Sequence, residues 1–255
     1  MHSPWQDPEV TAQGRLPAAA SFPRSKRDVI PLEQYWKFRL YTHPDKVPVK
    51  WHSIDAKKWP DVQVPHLWTM DPQFDLENPI YTNVVMPFRH EPPNLPSKNP
   101  TGIYRRTITL PKSWRDDRIV IHIGGVESFY FLYCNGQQVG YAKDSKLPSE
   151  FDLTDYLKLG ANELALQVIK YCDASYIEDQ DHWWHGGIHR SIYIYRTPKV
   201  FIQDVFITSD FDPASSGGTL KTKVRIGGND RLAQNHTVEA QLLSPNGKIL
   251  GKHMT

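Results

Sequence analysis

Residues 118–142 read RIVIHIGGVESFYFLYCNGQQVGYA, and this stretch decides the fold class. Three isoleucines occupy every second position of its first half, which places them on one face of a predicted strand: Ile119, Ile121 and Ile123. A second alternating run over 129–134 leads into Asn135-Gly136, a dipeptide typical of a tight hairpin because both turn positions need positive φ. The stretch therefore predicts two strands and a return strand over 137–142.

Short strand-like runs continue on both sides of this stretch, at 102–110, 163–171 and 190–196, and turn residues separate them. The 21 prolines outnumber the 15 glycines, as is typical of loops between strands. One short helical turn is predicted over 153–159, between Asp152 as N-cap and Gly160. The pattern predicts an all-β chain built as a β-sandwich.

Changes in pattern divide the chain into three parts. Residues 1–31 are polar and interrupted by proline, so we expect an N-terminal arm. The sandwich is predicted over 32–197, and a fresh series of strands begins after Thr197-Pro198. The remaining segment, 198–255, is short for an immunoglobulin-like sandwich, which needs ~7 strands in ~100 residues. We therefore expect 198–255 to be an incomplete second β-domain.

Composition excludes several classes of function. The 30 basic and 28 acidic residues give a net charge of +2, too small a charge to attract nucleic acid or an anionic membrane. The sequence has no apolar run of membrane-spanning length and no signal-peptide pattern at its start. Its two cysteines, Cys134 and Cys172, fit free thiols in a reducing compartment. We expect a cytoplasmic protein without nucleic-acid or membrane partners.

Residues 176–190 form the densest polar and aromatic segment, YIEDQDHWWHGGIHR, between two predicted strands. Carboxylates accept hydroxyl protons and bind hard cations, and indole rings stack on sugars, so the segment fits a sugar or cation site. It equally fits a polar loop whose Trp183 and Trp184 close the core. The residues alone leave both interpretations open.

Catalytic signatures are weak in this segment and absent elsewhere. His182, His185 and His189 have a spacing that would suit zinc on a helix, but two glycines, Gly186 and Gly187, interrupt that helix. Glu178 and Asp181 are three residues apart on one loop, which disfavours a glycosidase pair facing across a sugar. The sequence contains no nucleotide-binding, zinc-protease or serine-hydrolase motif.

An ordered set of motifs gives the chain a family resemblance. The set begins with Trp5, Asp7-Pro8 and RLP at 15–17 in the arm, and continues with VPHLW at 64–68, PIYTNV at 79–84, NPTG at 99–102, GGV at 124–126, CNG at 134–136, DSKLPSEFD at 144–152 and the loop at 178–190. In this order the motifs resemble the N-terminal part of the β-galactosidases of glycoside hydrolase family 2. The resemblance implies an arm, a jelly-roll sugar-binding domain and the start of an immunoglobulin-like domain.

The family also implies an activity, the retaining hydrolysis of terminal β-D-galactose from β-galactosides such as lactose. Its catalytic glutamates lie on a (β/α)₈ barrel, and such a barrel takes ~250 residues of its own. The resemblance therefore implies no catalytic residue in these 255 residues, and we expect the segment alone to be inactive.

Three positions carry over from the family by motif. Asn83 matches an asparagine that hydrogen-bonds substrate hydroxyls, and Val84 lies beside it at the cleft wall. Asp181 matches an aspartate that contacts substrate and helps to ligate a sodium or potassium ion near the galactose 6-hydroxyl. The family's magnesium site is expected on the barrel.

The resemblance further implies a homo-oligomer, tetramer or dimer, with the arm at a subunit interface. Two alternatives remain at this stage. The jelly roll could act alone as a galactose-binding module, or the chain could be part of a β-glucuronidase or β-mannosidase, which share the architecture.

Overall fold

The computed structural model describes residues 3–19, 25–74, 76–83, 85–178, 180–228 and 236–254. Within these ranges the regular structure consists of β-strands and short 3-10 helices, without an α-helix, which confirms the all-β prediction. The described chain forms two compact units, and the second consists of the residues from Thr197 onward together with Ala19.

The first unit is built from many short strands: β1 (Ala12–Gln13), β2 (Val29–Pro31), β3 (Trp36–Tyr41), β4 (Asp61–Val62), β5 (His66–Leu67), β6 (Thr101–Thr109), β7 (Arg118–Ile123), β8 (Val126–Glu127), β9 (Phe129–Cys134), β10 (Gln137–Ala142), β11 (Ser149–Asp152), β12 (Ala161–Ile169), β13 (Gly187–Ile188) and β14 (Ile192–Thr197). Its 3-10 helices are Pro4–Gln6, Lys26–Asp28, Pro44–Lys46, Trp51–Ser53, Lys112–Trp114, Thr154–Tyr156 and Asp173–Tyr176.

These strands form a sandwich of antiparallel sheets. A seven-stranded sheet has the order β1-β10-β9-β12-β6-β3-β4, and a four-stranded sheet has the order β11-β7-β14-β2. A small third sheet has the order β5-β13-β8, and its central strand β13 lies within the polar segment 176–190. One apolar cluster draws side chains from both large sheets, among them Phe38, Leu132, Ile121 and Ile194. Burial of this cluster between the sheets is the main term that stabilises the unit.

The stretch 118–142 folds as its pattern predicts. The three alternating isoleucines of β7 all lie in the core, whereas His122 between them is half-buried. Asn135 and Gly136 adopt φ of 51° and 79°, and the chain returns as β10 over the predicted residues. The hairpin β9–β10 is thus set by local turn chemistry.

The N-terminal arm contains more regular structure than its sequence pattern suggests. Trp5 packs edge-on against Phe129 and Phe131 of β9, with ring centroids 6.2 and 6.1 Å away. Strand β1 pairs with the edge strand β10, and β2 pairs with β14. Gly140 permits the β1 pairing, because a Cβ there would lie 2.1 Å from the carbonyl oxygen of Gln13.

The predicted helical turn at 153–159 is a shorter 3-10 helix, Thr154–Tyr156. The helix N-cap is Leu153 and not the predicted Asp152. Asp152 lies one residue earlier and accepts hydrogen bonds from the backbone amide and the hydroxyl of Thr154, at 3.0 and 2.6 Å, in an Asx turn. The backbone amide of Leu153 donates to Ile119 of β7, so the chain follows the sheet edge up to that point. The helix is therefore a single turn with Leu157 as its C-cap, so Gly160, which has a φ of 87°, is not the predicted residue after the helix end.

The described residues of the second unit form two hairpins. The first joins β15 (Val200–Asp212) to β16 (Gly217–Gly228), and the second joins β17 (Glu239–Leu243) to β18 (Ile249–Met254). Several large apolar side chains of these strands are exposed, including Phe206, Phe211 and Leu242. Across the residues described in both units, no helix is long and apolar enough to cross a membrane.

Candidate functional site

Two loops that are distant in sequence are joined through Trp184. Its backbone amide donates to the carbonyl of Ile80 at 2.7 Å, and the two residues form an isolated antiparallel bridge. Its indole Nε1 donates to the hydroxyl of Thr82 at 2.9 Å. The structure therefore pairs the loop that carries Asn83 with the loop that carries Asp181, the two described positions that the family resemblance selected.

Asp181 presents an exposed carboxylate with one hydrogen bond from the described chain. The Tyr81 hydroxyl donates to Oδ1 at 2.5 Å. This hydrogen bond is the main reason that the pKa of Tyr81 is raised, so the phenol keeps its proton at neutral pH. Within the described ranges the second oxygen, Oδ2, has no hydrogen bond from protein, and it remains available to a ligand.

Asn83 lies in a tight turn with its side chain exposed. Its φ is 53°, a left-handed conformation that asparagine tolerates better than most residues, and the Val85 amide closes the turn on Thr82 at 3.1 Å. No described residue makes a hydrogen bond to its side-chain amide. Val84, the third predicted substrate contact, lies outside the described residues.

The two tryptophans of the loop have different environments. Trp184 is buried and packs near Tyr171, so it joins the loop to the core. Trp183 is 51% exposed, and its ring lies 5.6 Å from that of Tyr81, which is equally exposed. Trp184 is thus a packing residue, whereas Trp183 presents an aromatic surface beside Asp181.

Ion pairs with buried or half-buried side chains connect these loops to the sandwich. The Lys170 ammonium, on a side chain with 0% exposure, lies 2.5 Å from the Glu77 carboxylate. Burial lowers the pKa of Lys170, and the charge of Glu77 opposes that shift. Glu127 pairs with Lys146 through one oxygen and accepts from the backbone amide of His185 at 3.3 Å through the other. Each charge therefore has a partner.

Glu178 and Asp181 make separate contacts with the rest of the chain. Glu178 accepts hydrogen bonds from the backbone amide and the hydroxyl of Ser145, at 2.9 and 2.5 Å, and so fastens the loop to the segment after β10. Asp181 instead binds Tyr81. The two carboxylates have different partners, which gives Glu178 a structural role.

The three histidines of the loop also have separate partners. Nδ1 of His182 lies 3.0 Å from the Trp183 carbonyl, Nδ1 of His185 lies 2.9 Å from the Thr69 hydroxyl, and Nε2 of His189 lies 2.7 Å from the Ser145 carbonyl. Burial lowers the pKa of His185 and His189. In the described ranges, no three or more His, Cys, Asp or Glu residues cluster as a metal site.

The sheets define a class of fold, an antiparallel β-sandwich. Residues 30–198 match the family described as "Glycosyl hydrolases family 2, sugar binding domain". The chain belongs to glycosyl hydrolase family 2.

Similar curated proteins carry one activity in their names. A beta-galactosidase of Psychromonas ingrahamii is 35% identical over 264 residues, which cover 97% of this chain and 25% of that protein. A beta-galactosidase of Photobacterium profundum is 42% identical over 197 residues, covering 76% of this chain and 19% of that protein. The matched part of the chain spans 25% and 19% of the length of these two relatives.

Solved structures of similar fold are more distant in sequence. A beta-glucuronidase from an uncultured Clostridium species has a TM-score of 0.67 at 18% identity, over 93% of this chain and 41% of that one. A beta-glycosidase from Bacteroides vulgatus has a TM-score of 0.64 at 21% identity, over 89% of this chain and 27% of that one. At these identities the likeness concerns the fold.

Sequence reasoning missed two residues of the site. Tyr81 was visible only as a member of the 79–84 motif, and nothing local predicts that its hydroxyl meets a carboxylate 100 positions later. Lys170 sits at the end of a predicted strand, where an isolated lysine is usually exposed. Its position directly after the apolar run of β12 is the signal that could have indicated burial.

Proposed function

We propose that the chain is the N-terminal part of a β-galactosidase, an enzyme that hydrolyses terminal non-reducing β-D-galactose residues in β-galactosides such as lactose. The observation that carries the proposal is the pairing of the loops of Asn83 and Asp181 through Trp184. The curated relatives at 35% and 42% identity support the same activity by name. In this proposal both loops border a substrate cleft that is completed by another domain.

Asn83 suits the role of substrate contact. Its exposed amide offers a donor and an acceptor, which is what a sugar hydroxyl requires. The turn around it holds the backbone of Asn83 in place, which limits the region that its side chain can reach. Val84, next in sequence, is proposed to form the apolar cleft wall beside it.

Asp181 suits a sodium or potassium ion. Such ions prefer oxygen ligands, and the exposed Oδ2 of Asp181 is one. One carboxylate oxygen does not complete a cation site, so the remaining ligands are proposed to come from substrate and from the catalytic barrel. A bound ion would supply positive charge to orient a substrate hydroxyl. Magnesium, in this proposal, binds the barrel alone.

The described chain is proposed to contribute binding and not the chemical step. The retaining mechanism needs two carboxyl groups ~5 to 5.5 Å apart across the sugar. Glu178 is committed to Ser145 and Asp181 to Tyr81. We therefore expect the 255-residue segment to lack hydrolytic activity.

The arm is proposed to lie also at a subunit interface of a homo-oligomeric enzyme.

The test uses the full-length parent enzyme and the substitution Asp181→Asn. We expect the sodium concentration for half-maximal activation to rise by about tenfold or more, because one anionic ligand is lost. Asn83→Ala is expected to raise KM for lactose. Asp155→Asn, which neutralises another exposed carboxylate, is the matched control and is expected to change neither value. Unchanged sodium activation in Asp181→Asn would refute the cation assignment.

One observation favours a second candidate, a galactose-binding module that acts without a barrel. The exposed rings of Tyr81 and Trp183 lie beside an exposed carboxylate, as in many sugar-binding surfaces. Calorimetric titration of the 255-residue chain with galactose separates the candidates. Binding that disappears in Trp183→Ala would favour the module, and no binding at millimolar galactose would favour a shared site. The distant β-glucuronidase structures give no comparable support for a glucuronidase or β-mannosidase parent, because their likeness is one of fold.

A further inference from the structure

The Asp181 carboxylate has a defined orientation because of Tyr81. An exposed aspartate on a loop normally samples several rotamers, and each ordered rotamer costs conformational entropy when a ligand binds. Here the Tyr81 hydroxyl holds Oδ1 at 2.5 Å, and Oδ2 is left without a hydrogen bond from the described protein. The tyrosine thus separates the two carboxylate oxygens into one that is bound by protein and one that is available.

Tyr81 is itself fixed from three directions. Its neighbour Ile80 is bridged to Trp184 through the backbone, and its neighbour Thr82 accepts from the Trp184 indole. Its ring lies 5.6 Å from that of Trp183, tilted by 40°. Because both neighbours of Tyr81 are bound to Trp184 and its ring contacts Trp183, the Tyr81 hydroxyl can hold the Asp181 carboxylate in place.

We infer that Tyr81 is a positioning residue, which orients the Asp181 carboxylate so that Oδ2 faces a monovalent cation, and that Trp183 supports the tyrosine ring. This inference rests on the proposed function, since it assumes that Asp181 ligates the cation. It adds a residue that acts through Asp181 and does not itself touch the ion. Removal of the hydroxyl should weaken cation binding without removing any ligand.

The experiment uses the full-length enzyme and measures sodium binding directly, by ²³Na NMR relaxation without substrate, together with sodium activation of lactose hydrolysis. Tyr81→Phe keeps the ring and removes the hydroxyl. We expect its sodium dissociation constant to rise by about tenfold, in the range typical of groups that orient metal ligands. At saturating sodium its kcat should return close to the wild-type value, whereas that of Asp181→Asn should not.

A double-mutant cycle distinguishes positioning from a general structural effect. If Tyr81 acts through Asp181, Tyr81→Phe should change sodium binding little in the Asp181→Asn background. An equal change in both backgrounds, or no change in the single variant, would overturn the inference. Tyr35→Phe removes another exposed hydroxyl, one without a hydrogen bond in the described chain, and is the matched control.

The outcomes separate this inference from the proposed function. If Asp181→Asn leaves sodium binding unchanged, the proposed cation role fails and the inference fails with it. If Asp181→Asn weakens binding and Tyr81→Phe does not, the inference alone fails. If Tyr81→Phe lowers the melting temperature, Trp183→Leu provides a second test. It removes the ring contact with Tyr81 and keeps the Tyr81 hydroxyl that donates to Asp181. It should weaken sodium binding in the same direction, and wild-type binding in Trp183→Leu would contradict the supporting role.

Discussion

Lys170 and Glu77 form a buried ion pair, 2.5 Å between nitrogen and oxygen, that ties the end of β12 to the loop preceding Tyr81 and Asn83. The lysine side chain has 0% exposure and the glutamate side chain 10%. Such a pair offsets two desolvation penalties only while both partners are present. It therefore connects the stability of the sandwich to the geometry of the proposed substrate loop.

Removal of one partner of this pair should destabilise the fold. We expect Glu77→Gln to lower the free energy of unfolding by about 3–5 kcal/mol, because the Lys170 charge remains buried without its counter-charge. Urea denaturation of the 255-residue chain measures this. Asp61→Asn breaks the exposed pair with Lys37 and is the control, expected to cost about 1 kcal/mol or less. Equal losses in the two variants would show that burial of the Lys170 pair is unimportant.

Gly140 controls the docking of the N-terminal arm. A Cβ there would meet the Gln13 carbonyl at 2.1 Å, so Gly140→Ala should displace β1 from β10. We expect trypsin to cleave after Arg15 faster in this variant than in the wild type. Intact-mass measurement over time gives the cleavage rate. Gly251→Ala, where nothing lies within 4 Å, should leave that rate unchanged. Protection of Arg15 in Gly140→Ala would mean that the arm is held by other contacts, such as those of Trp5.

His66 should make the fold less stable in mild acid. Burial lowers its pKa below 6.5 even though Asp71 lies 3.1 Å away and opposes the shift. As pH falls through 6.5 the unfolded chain takes up a proton that the folded chain does not, so stability falls with pH in that range. An NMR titration should give a midpoint for His66 below 6.5. A midpoint above 6.5 would mean that the charge of Asp71 outweighs burial.

The acid sensitivity should decrease when His66 is replaced. In His66→Gln, the loss of unfolding free energy between pH 7 and pH 5.5 is expected to be smaller than in the wild type. His185 and His189, whose pKa values are also lowered by burial, should account for part of what remains. An unchanged pH dependence in His66→Gln would assign the whole effect to other groups.

Both thiols should be unreactive in the folded protein. Cys134 and Cys172 are buried and free, and burial raises the pKa of each to about 11. Since the thiolate is the reactive form, a disulfide reagent at pH 8 should modify them slowly in native buffer and rapidly in urea. Fast modification of one thiol in native buffer would show that its surroundings open locally.

Much of the sandwich could be predicted because its signals are local. The alternation in β7 and the turn at Asn135-Gly136 act over a few residues, and the structure confirms both. The arm was harder to predict. Its strand β1 has two residues, and it exists because the edge of β10 offers hydrogen bonds and Gly140 offers space.

The sequence by itself determined the alternating strands, the hairpin and the family, because strand period, turn conformation and ordered motifs are properties of neighbouring residues. It also selected Asn83 and Asp181 as candidates through their motifs. Only the tertiary structure decided that Tyr81 holds the Asp181 carboxylate, that Trp184 joins the two loops and that Lys170 is buried against Glu77. These contacts join residues about 90 to 100 positions apart, and such pairs meet only when the packing of the sheets brings their loops together.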